Sequence, residues 1–287
     1  TLLPAWQLSM VSPPVNPPEG SQYCVELQSA AGTTLSSYCF DPRFYIYELG
    51  LSVDTTTFEI ALPLVEGGAN IVVNKFGDPA PAAQASASAN APSVAVLYPN
   101  GGEILSGSVT ISWEGSDADL DALFYHLLYS EDGGATWLPV TEYLTATTYT
   151  IDTAYLPGSA DGRFRVIASD GFHTSYDDSD ASFTTPDNVP LVGISAPEDG
   201  GHGMLPLNVS GAAYDLEEGE LPDGSLIWSS DLDGPLGAGP NLNLEGLTLG
   251  LHHLTLTAID SQGHTAAQSI TYTVLEPWRV FLPALNR

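Results

Sequence analysis

The sequence predicts an all-β protein made of three consecutive antiparallel β-sandwich domains in an elongated arrangement, and three observations carry that reading. Short runs rich in Val, Ile, Thr, Tyr and Phe recur along the chain, with apolar and polar residues alternating as half-buried strands require. Turn-forming clusters separate the runs, and 28 Gly and 22 Pro favour many turns over long helices. The 287 residues exceed one ordinary sandwich and suit modules of roughly 90 residues each. An apolar fraction of 43% is enough to give each module a core.

The first domain is read as residues 1–90. Its strands are YCVELQ, FYIYELGL, TFEIALPL and ANIVVNKFG, preceded by WQLSMV, which alternates well enough for an edge strand. A hairpin centred near Ala31-Gly32 sets Cys24 opposite Cys39, Tyr23 opposite Phe40 and Val25 opposite Tyr38. That register allows a Cys24–Cys39 disulfide, whereas a slip of one residue leaves two buried thiols. A bridge implies an oxidising, secreted setting. Residues 77–92 end in a short edge strand, and a stiff junction falls at Asn90–Pro92 because proline restricts itself and the residue before it.

The second domain, 91–187, supplies SVAVLYP, SVTISWEG, LFYHLLYS, ATWLPV, TYTIDT, GRFRVIASD and DASFTT, a strand count at sandwich spacing. A second junction lies around Pro186–Pro190. The third domain, 188–276, reads as LVGISAP, LPLNVSGAAYD, GSLIWSS, LNLEG, HHLTLTAIDS and AQSITYTV, followed by an apolar C-terminal tail, 277–287. An internal repeat supports the division: Val109, Ile111, Asp117, Asp119 and Leu123 align with Leu207, Val209, Asp215, Glu217 and Leu221, and Asp170 aligns with Asp260.

Charge narrows the partners. Against 35 Asp and Glu stand 6 Lys and Arg, a formal net charge of −29, so the surface repels phosphate backbones and anionic lipid headgroups. Nucleic acid is excluded as a partner, and so is direct membrane insertion, since no run of 18 apolar residues occurs. The chain opens TLLPAW without a basic segment ahead of an apolar stretch, which reads as a processed part of a longer precursor.

Ser130, Asp132, Gly134, Thr136 and Trp137 fit the pattern Ser-x-Asp-x-Gly-x-Thr-Trp. Asp132 can accept backbone N–H groups across a tight turn, the glycines permit positive φ, and Trp137 closes over the turn. The segment resembles the Asp-box hairpin of sialidase-like propellers, where it serves the fold. Propeller blades need several copies, and one is present. From YPNGGE at Tyr98–Glu103 through ISWEGSDADLD to DDSDASF, residues 93–186 resemble fibronectin type III-like or immunoglobulin-like modules of secreted bacterial and archaeal proteins. That likeness implies Trp113 in the core, Tyr125 and Tyr129 on one strand face, and Phe164 and Val166 packed against them. IWSSDLDGPLGAG and LGLHHLTLTAIDSQG resemble immunoglobulin-like and PKD-like repeats of cell-surface proteins, modules that act as spacers, adhesive units or accessories to secreted hydrolases.

Calcium is the cofactor these residues suggest, and no other is indicated. Asp117, Asp119 and Asp121 alternate in one loop and Asp170 ends a nearby strand; Asp215, Glu217, Glu218 and Asp260 occupy the corresponding places. Hard carboxylate oxygens suit calcium over zinc or copper, and the alternative is a solvated acidic loop without metal. No catalytic residues emerge. His126, His173, His202, His252, His253 and His264 show no zinc spacing, and no GxSxG is present. Asn208-Val209-Ser210 forms a glycosylation sequon within a strand.

These features lead to the expectation of a non-enzymatic extracellular structural or interaction module: a spacer or adhesive region of a secreted or cell-surface protein, self-assembling and calcium-stabilised. Its partners would be other protein domains, copies of itself, or surface glycans, with WQLSMV and WRVFLPAL able to pair with sheet edges or pack locally. The alternative is an accessory C-terminal region of a secreted protease or glycoside hydrolase, contacting polysaccharide.

Overall fold

The computed structural model describes residues 3, 5–7, 19–46, 51–54, 56 and 58–277. Most of WQLSMV, the centre of FYIYELGL and nearly all of the 277–287 tail, Trp278 included, lie outside the described residues. The protein is all-β: among the described residues the only helical elements are two three-residue 3₁₀ turns, Thr153–Tyr155 and Asp223–Ser225. None is long and apolar enough to cross a membrane.

Residues 19–86 hold β1 (Glu19–Ser29), β2 (Thr34–Phe40), β3 (Tyr45–Ile46), β4 (Leu51–Ser52), β5 (Gly68–Lys75) and β6 (Ala83–Ser86). Four of them form one antiparallel sheet in the order β2-β1-β5-β6, and β3 pairs β4 separately. Cys24 stands opposite Cys39, Tyr23 opposite Phe40 and Val25 opposite Tyr38. The cysteines are joined in a disulfide with Cα atoms 4.0 Å apart. The described part of TFEIALPL, residues 58–64, is not a strand. Ile60 and Leu62 pack against the buried Val25, Phe40 and Val73, and the Phe58 ring lies 4.5 Å from that of Phe40. Apolar alternation here marks a segment that covers a sheet face, and Pro63, lacking an N–H, weakens any ladder.

Residues 93–185 hold β7 (Ser93–Tyr98), β8 (Ser108–Ser116), β9 (Phe124–Ser130), β10 (Leu138–Leu144), β11 (Thr148–Asp152), β12 (Ser159–Ser169), β13 (Thr174–Asp178) and β14 (Phe183–Thr185). One sheet runs β10-β9-β12-β13, with β14 also on β12; the other runs β11-β8-β7. Period-two burial puts Ile111 and Trp113 of β8, Tyr125, Leu127 and Tyr129 of β9, and Phe164, Val166 and Ala168 of β12 inside. Trp113 meets Tyr125 at 5.6 Å, Tyr129 meets Phe164 at 5.5 Å, and Phe164 stacks on Phe183 at 5.1 Å. Each such pair adds about 0.5–1.5 kcal/mol beyond area burial. Strand β13, TSYDD, carries no apolar alternation; it is an edge strand paired antiparallel to β12.

Residues 191–274 hold β15 (Leu191–Ala196), β16 (Gly201–Gly203), β17 (Leu207–Asp215), β18 (Gly219–Glu220), β19 (Leu226–Ser230), β20 (Gly234–Ala238), β21 (Asn241–Leu244), β22 (Gly250–Ile259) and β23 (Thr265–Val274). One sheet runs β15-β17-β18 with β21 on β17; its partner runs β16-β23-β22-β19-β20. The interior contains Val209, Trp228, Leu254, Leu256 and Ile270. Trp228 is fully buried and donates its indole N–H to the Gly239 carbonyl at 3.1 Å. Gly211 permits the close approach of the layers, since a Cβ there would sit 2.5 Å from Leu256 Cδ2 and 2.8 Å from the Gly193 carbonyl oxygen.

Among the described residues, every sheet stays within 19–86, 93–185 or 191–274. By spatial contact the chain divides into two compact units: Thr1–Glu103, Thr110–Ile151 and Asp161–Phe183 form one, and Ile104–Val109, Asp152–Ala160 and Thr184–Arg287 the other. The expected division into three sandwich domains, 1–90, 91–187 and 188–276, stands as a proposal.

Candidate functional site

The loop after β8 starts at Asp117, whose Oδ1 accepts the backbone N–H groups of Asp119 at 2.7 Å and Asp121 at 3.3 Å. This local self-capping, which short acidic side chains favour in turns, commits one oxygen and leaves Oδ2 buried without a hydrogen-bond partner. Asp170, ending the β12–β13 hairpin, accepts the N–H groups of Phe172 and His173 on Oδ1 at 2.7 and 2.6 Å. Its Oδ2 lies 3.1 Å from His173 Nδ1 and accepts from Ser88 Oγ at 3.2 Å. One carboxylate oxygen from each of Asp117, Asp121 and Asp170 lies within 4.8 Å of the others. Three carboxylates at that separation repel unless a cation or protons intervene, and an all-oxygen set favours a hard cation.

Asp119 is not in this trio. It accepts the backbone N–H of Asn90 at 2.7 Å and its side-chain amide at 2.9 Å. Those two bonds, the backbone one foremost, hold its carboxyl below the usual range.

The later acidic loop repeats the plan with different details. Asp215, 2% exposed at the end of β17, accepts the N–H groups of Glu217 and Glu218 on Oδ1 at 2.9 and 3.1 Å, and its Oδ2 is buried without a partner. Glu217 Oε1 accepts from the Gly158 N–H at 2.5 Å and from Asn188 through its backbone N–H at 3.1 Å and its side-chain amide at 2.9 Å. Its Oε2 is likewise buried and unpartnered. Burial foremost, and then the neighbouring Glu217 carboxylate, push the Asp215 carboxyl up. Burial also opposes ionisation of Glu217, but the bonds from Gly158 and Asn188 prevail and hold it below the usual range.

Glu218 and Asp260 are engaged elsewhere. Glu218 accepts the Ser261 N–H at 2.9 Å, and Asp260 holds its own turn through His264, N–H to Oδ1 at 2.8 Å and Nδ1 to Oδ2 at 3.0 Å. Among the described residues, no third carboxylate or imidazole joins Asp215 and Glu217 at the range that unites the earlier trio.

Sequence reasoning missed the asparagines and two histidines of these loops. Asn90 and Asn188 both precede Pro by two positions, in Asn90-Ala91-Pro92 and Asn188-Val189-Pro190, and both bind the acidic residue two places after the loop aspartate. That recurrence at both junctions was the available signal. His173 and His264 follow their aspartates by three and four residues.

The 130–137 hairpin is built as its residues suggest. Ser130 Oγ donates to Asp132 Oδ1 at 2.7 Å, which also accepts the N–H groups of Ala135 and Thr136; Thr136 Oγ1 donates to Oδ2 at 2.6 Å. These donors, Thr136 first, hold the Asp132 carboxyl far below the usual range. Gly133 and Gly134 have φ of 74° and 99°. The Arg165 guanidinium lies 4.2 Å from the rings of both Trp137 and Tyr176 and is bonded to Asp178 at 2.6 and 2.8 Å. His252 is fully buried, with Nδ1 2.8 Å from Ser230 Oγ and Nε2 2.7 Å from the Thr248 carbonyl oxygen, while His253 points outward to Asp231. Asn208 is exposed on β17 and accepts from Asn243.

No family model and no curated protein sequence matches the chain. Among solved structures, the fibronectin(III)-like modules of Clostridium thermocellum CbhA overlap 66% of this chain and 100% of theirs, at 17% identity and a TM-score of 0.26. The N-terminal four Ig domains of Dscam1 isoform 7.44 overlap 71% of this chain and 53% of theirs, at 11% identity and a TM-score of 0.30. The FN1-FN3 domains of chicken CNTN1 overlap 87% and 89%, at 13% identity and a TM-score of 0.25. The fold assignment rests on the strand pairing described above.

Proposed function

We propose that the chain is a non-enzymatic, extracellular structural and interaction module, a spacer or adhesive region whose acidic loops are stabilised by calcium. The carrying observation is the convergence of Asp117, Asp121 and Asp170 beside the Asn90 linker. Charge that would otherwise repel is placed where a cation would tie a loop, a hairpin and a linker together. The Cys24–Cys39 bridge supports an oxidising compartment. The sheet-edge strands and the net charge of −29 support protein domains or further copies as partners, rather than nucleic acid.

The test is thermal melting of the chelator-treated protein with and without millimolar calcium, on wild type and on the Asp117→Asn/Asp121→Asn variant. A calcium-dependent rise in Tm that the variant reduces supports the reading. A wild-type Tm indifferent to calcium removes it.

A further inference from the structure

Ala5, Trp6 and Gln7 dock on the 93–185 sheets, although the chain next enters the 19–86 sheet at β1. Ala5 donates its N–H to the Gly171 carbonyl at 3.1 Å, and its own carbonyl accepts from Ser169 Oγ at 2.6 Å. Gln7 donates its backbone N–H to Thr174 Oγ1 at 2.9 Å and its side-chain amide to the Phe172 carbonyl at 3.2 Å. Between them the half-buried Trp6 ring lies 3.7 Å from that of His126 and meets Tyr143 edge-on at 6.3 Å. An aromatic anchor flanked by hydrogen-bonded residues is the pattern of a docked peptide.

Two observations mark this occupant as exchangeable. Trp6 Nε1 and His126 Nε2 are both buried without hydrogen-bond partners, and His126 is only 8% exposed. Docking therefore strips water from an N–H donor and a ring nitrogen and gives neither a replacement, which opposes the gain from burying the ring. Undocking returns both to water. The second observation is the placement of the groove on sheets other than the one that the segment leads into. Only the tether through residues 8–18 makes the occupant the chain's own.

We propose that this groove is an exchange site, in which the 5–7 segment of a second copy of the chain replaces the resident one and links the two copies. This rests on the reading of the chain as an interaction module and names the surface it uses. The contacts are the same whichever copy supplies the segment, as in domain swapping. A short tether supplies an effective concentration on the order of millimolar. The resident segment therefore prevails in dilute solution, and exchange prevails where copies are crowded to that density. Charge singles out this segment as the one to cross between copies. Residues 1–18 contain no Asp, Glu, Lys or Arg in a chain of net charge −29, so the segment reaches a second polyanion without adding to the repulsion.

The test is disulfide trapping between full-length chains mixed at millimolar protein, Gln7→Cys in one chain and Thr174→Cys in the other. Cys24 and Cys39 are bonded to each other and do not compete. A cross-linked heterodimer on a non-reducing gel is expected. Adding Trp6→Ala to the Thr174→Cys chain, which takes the anchor out of its own groove, should raise the yield. Adding it to the Gln7→Cys chain should lower the yield by roughly 30-fold, the scale on which anchor aromatics act. Trp6→Ala alone, which needs no new cysteine, should weaken self-association by a similar factor in sedimentation velocity. A heterodimer yield indifferent to Trp6→Ala in the Gln7→Cys chain, no cross-link to the emptied groove, or self-association unchanged by Trp6→Ala overturns the exchange. Each of these results leaves the calcium-dependent melt, and the reading it tests, untouched.

Discussion

Removing the bridge between Cys24 and Cys39 tests the oxidising-compartment reading and the hairpin register together. The bonded residues are 15 apart in sequence, and closing a loop of that length removes chain entropy from the unfolded state worth about 3 kcal/mol. The sheet it staples is small, with a buried centre of Val25, Phe40 and Val73. A module of its size has a net stability on the order of 4–11 kcal/mol, so the loss is a large fraction of the total. At about 4–8 °C per kcal/mol for a domain of this size, Tm of the region should fall by roughly 12–24 °C. The perturbation is Cys24→Ala/Cys39→Ala, which adds no polar atom. Hydrogen exchange resolved by peptide should show β1, β2 and β5 losing protection while 191–274 keeps it. A variant whose 19–86 peptides remain as protected as in wild type would refute the account, because the bridge would then constrain nothing that folding constrains.

Three further outcomes follow from packing and titration. Gly211→Ala should destabilise the third sheet pair by about 1–3 kcal/mol, read by denaturant melts, because its Cβ would meet Leu256 and the Gly193 carbonyl; an unchanged midpoint would contradict the close approach. Trp228→Phe leaves the buried Gly239 carbonyl without its donor, at a cost of about 1–3 kcal/mol plus the lost ring, measured the same way. His126 is held below its usual pKa by burial, against the charges of Glu142 and Glu59. Because its folded pKa is depressed, it stabilises the fold above its unfolded value, and that contribution is lost as pH falls through the folded one. Melts from pH 7.5 to 5 should therefore show wild type losing more stability than His126→Phe, with a change in Trp6 fluorescence, since Trp6 lies against His126 at 3.7 Å.

The legible parts of this molecule are those encoded within a few residues. Cys24, Cys39 and the alternation around them set a hairpin whose register follows from pairing geometry. Ser130 to Trp137 carries the side-chain donors and acceptors that shape its turn, and one further bond, from the Gly133 N–H to the Asp161 carbonyl, reaches outside it. Trp113, Tyr125, Tyr129 and Phe164, which the resemblance to fibronectin type III-like or immunoglobulin-like modules implies to be inside, are buried. Strand β13 was not legible, because an edge strand takes its ladder from a neighbour and leaves no apolar pattern. TFEIALPL shows the reverse error, a strand-like pattern in a segment that covers a face without pairing.

The sequence by itself determined the all-β class, a hairpin that allows the Cys24–Cys39 disulfide and the positions of the acidic loops, since alternation, turn chemistry and short-range hydrogen bonds are local. Only the tertiary structure decided which carboxylates meet. It brought Asp170 to Asp117 and Asp121, assigned Asp119 to Asn90, and buried one oxygen each of Asp215 and Glu217. It also laid Ala5–Gln7 on the 169–174 turn, with Gln7 bonded to Thr174 and Ala5 to Gly171. Such contacts join residues tens to more than a hundred positions apart, and their partners are selected by how sheets stack, a property no local pattern contains.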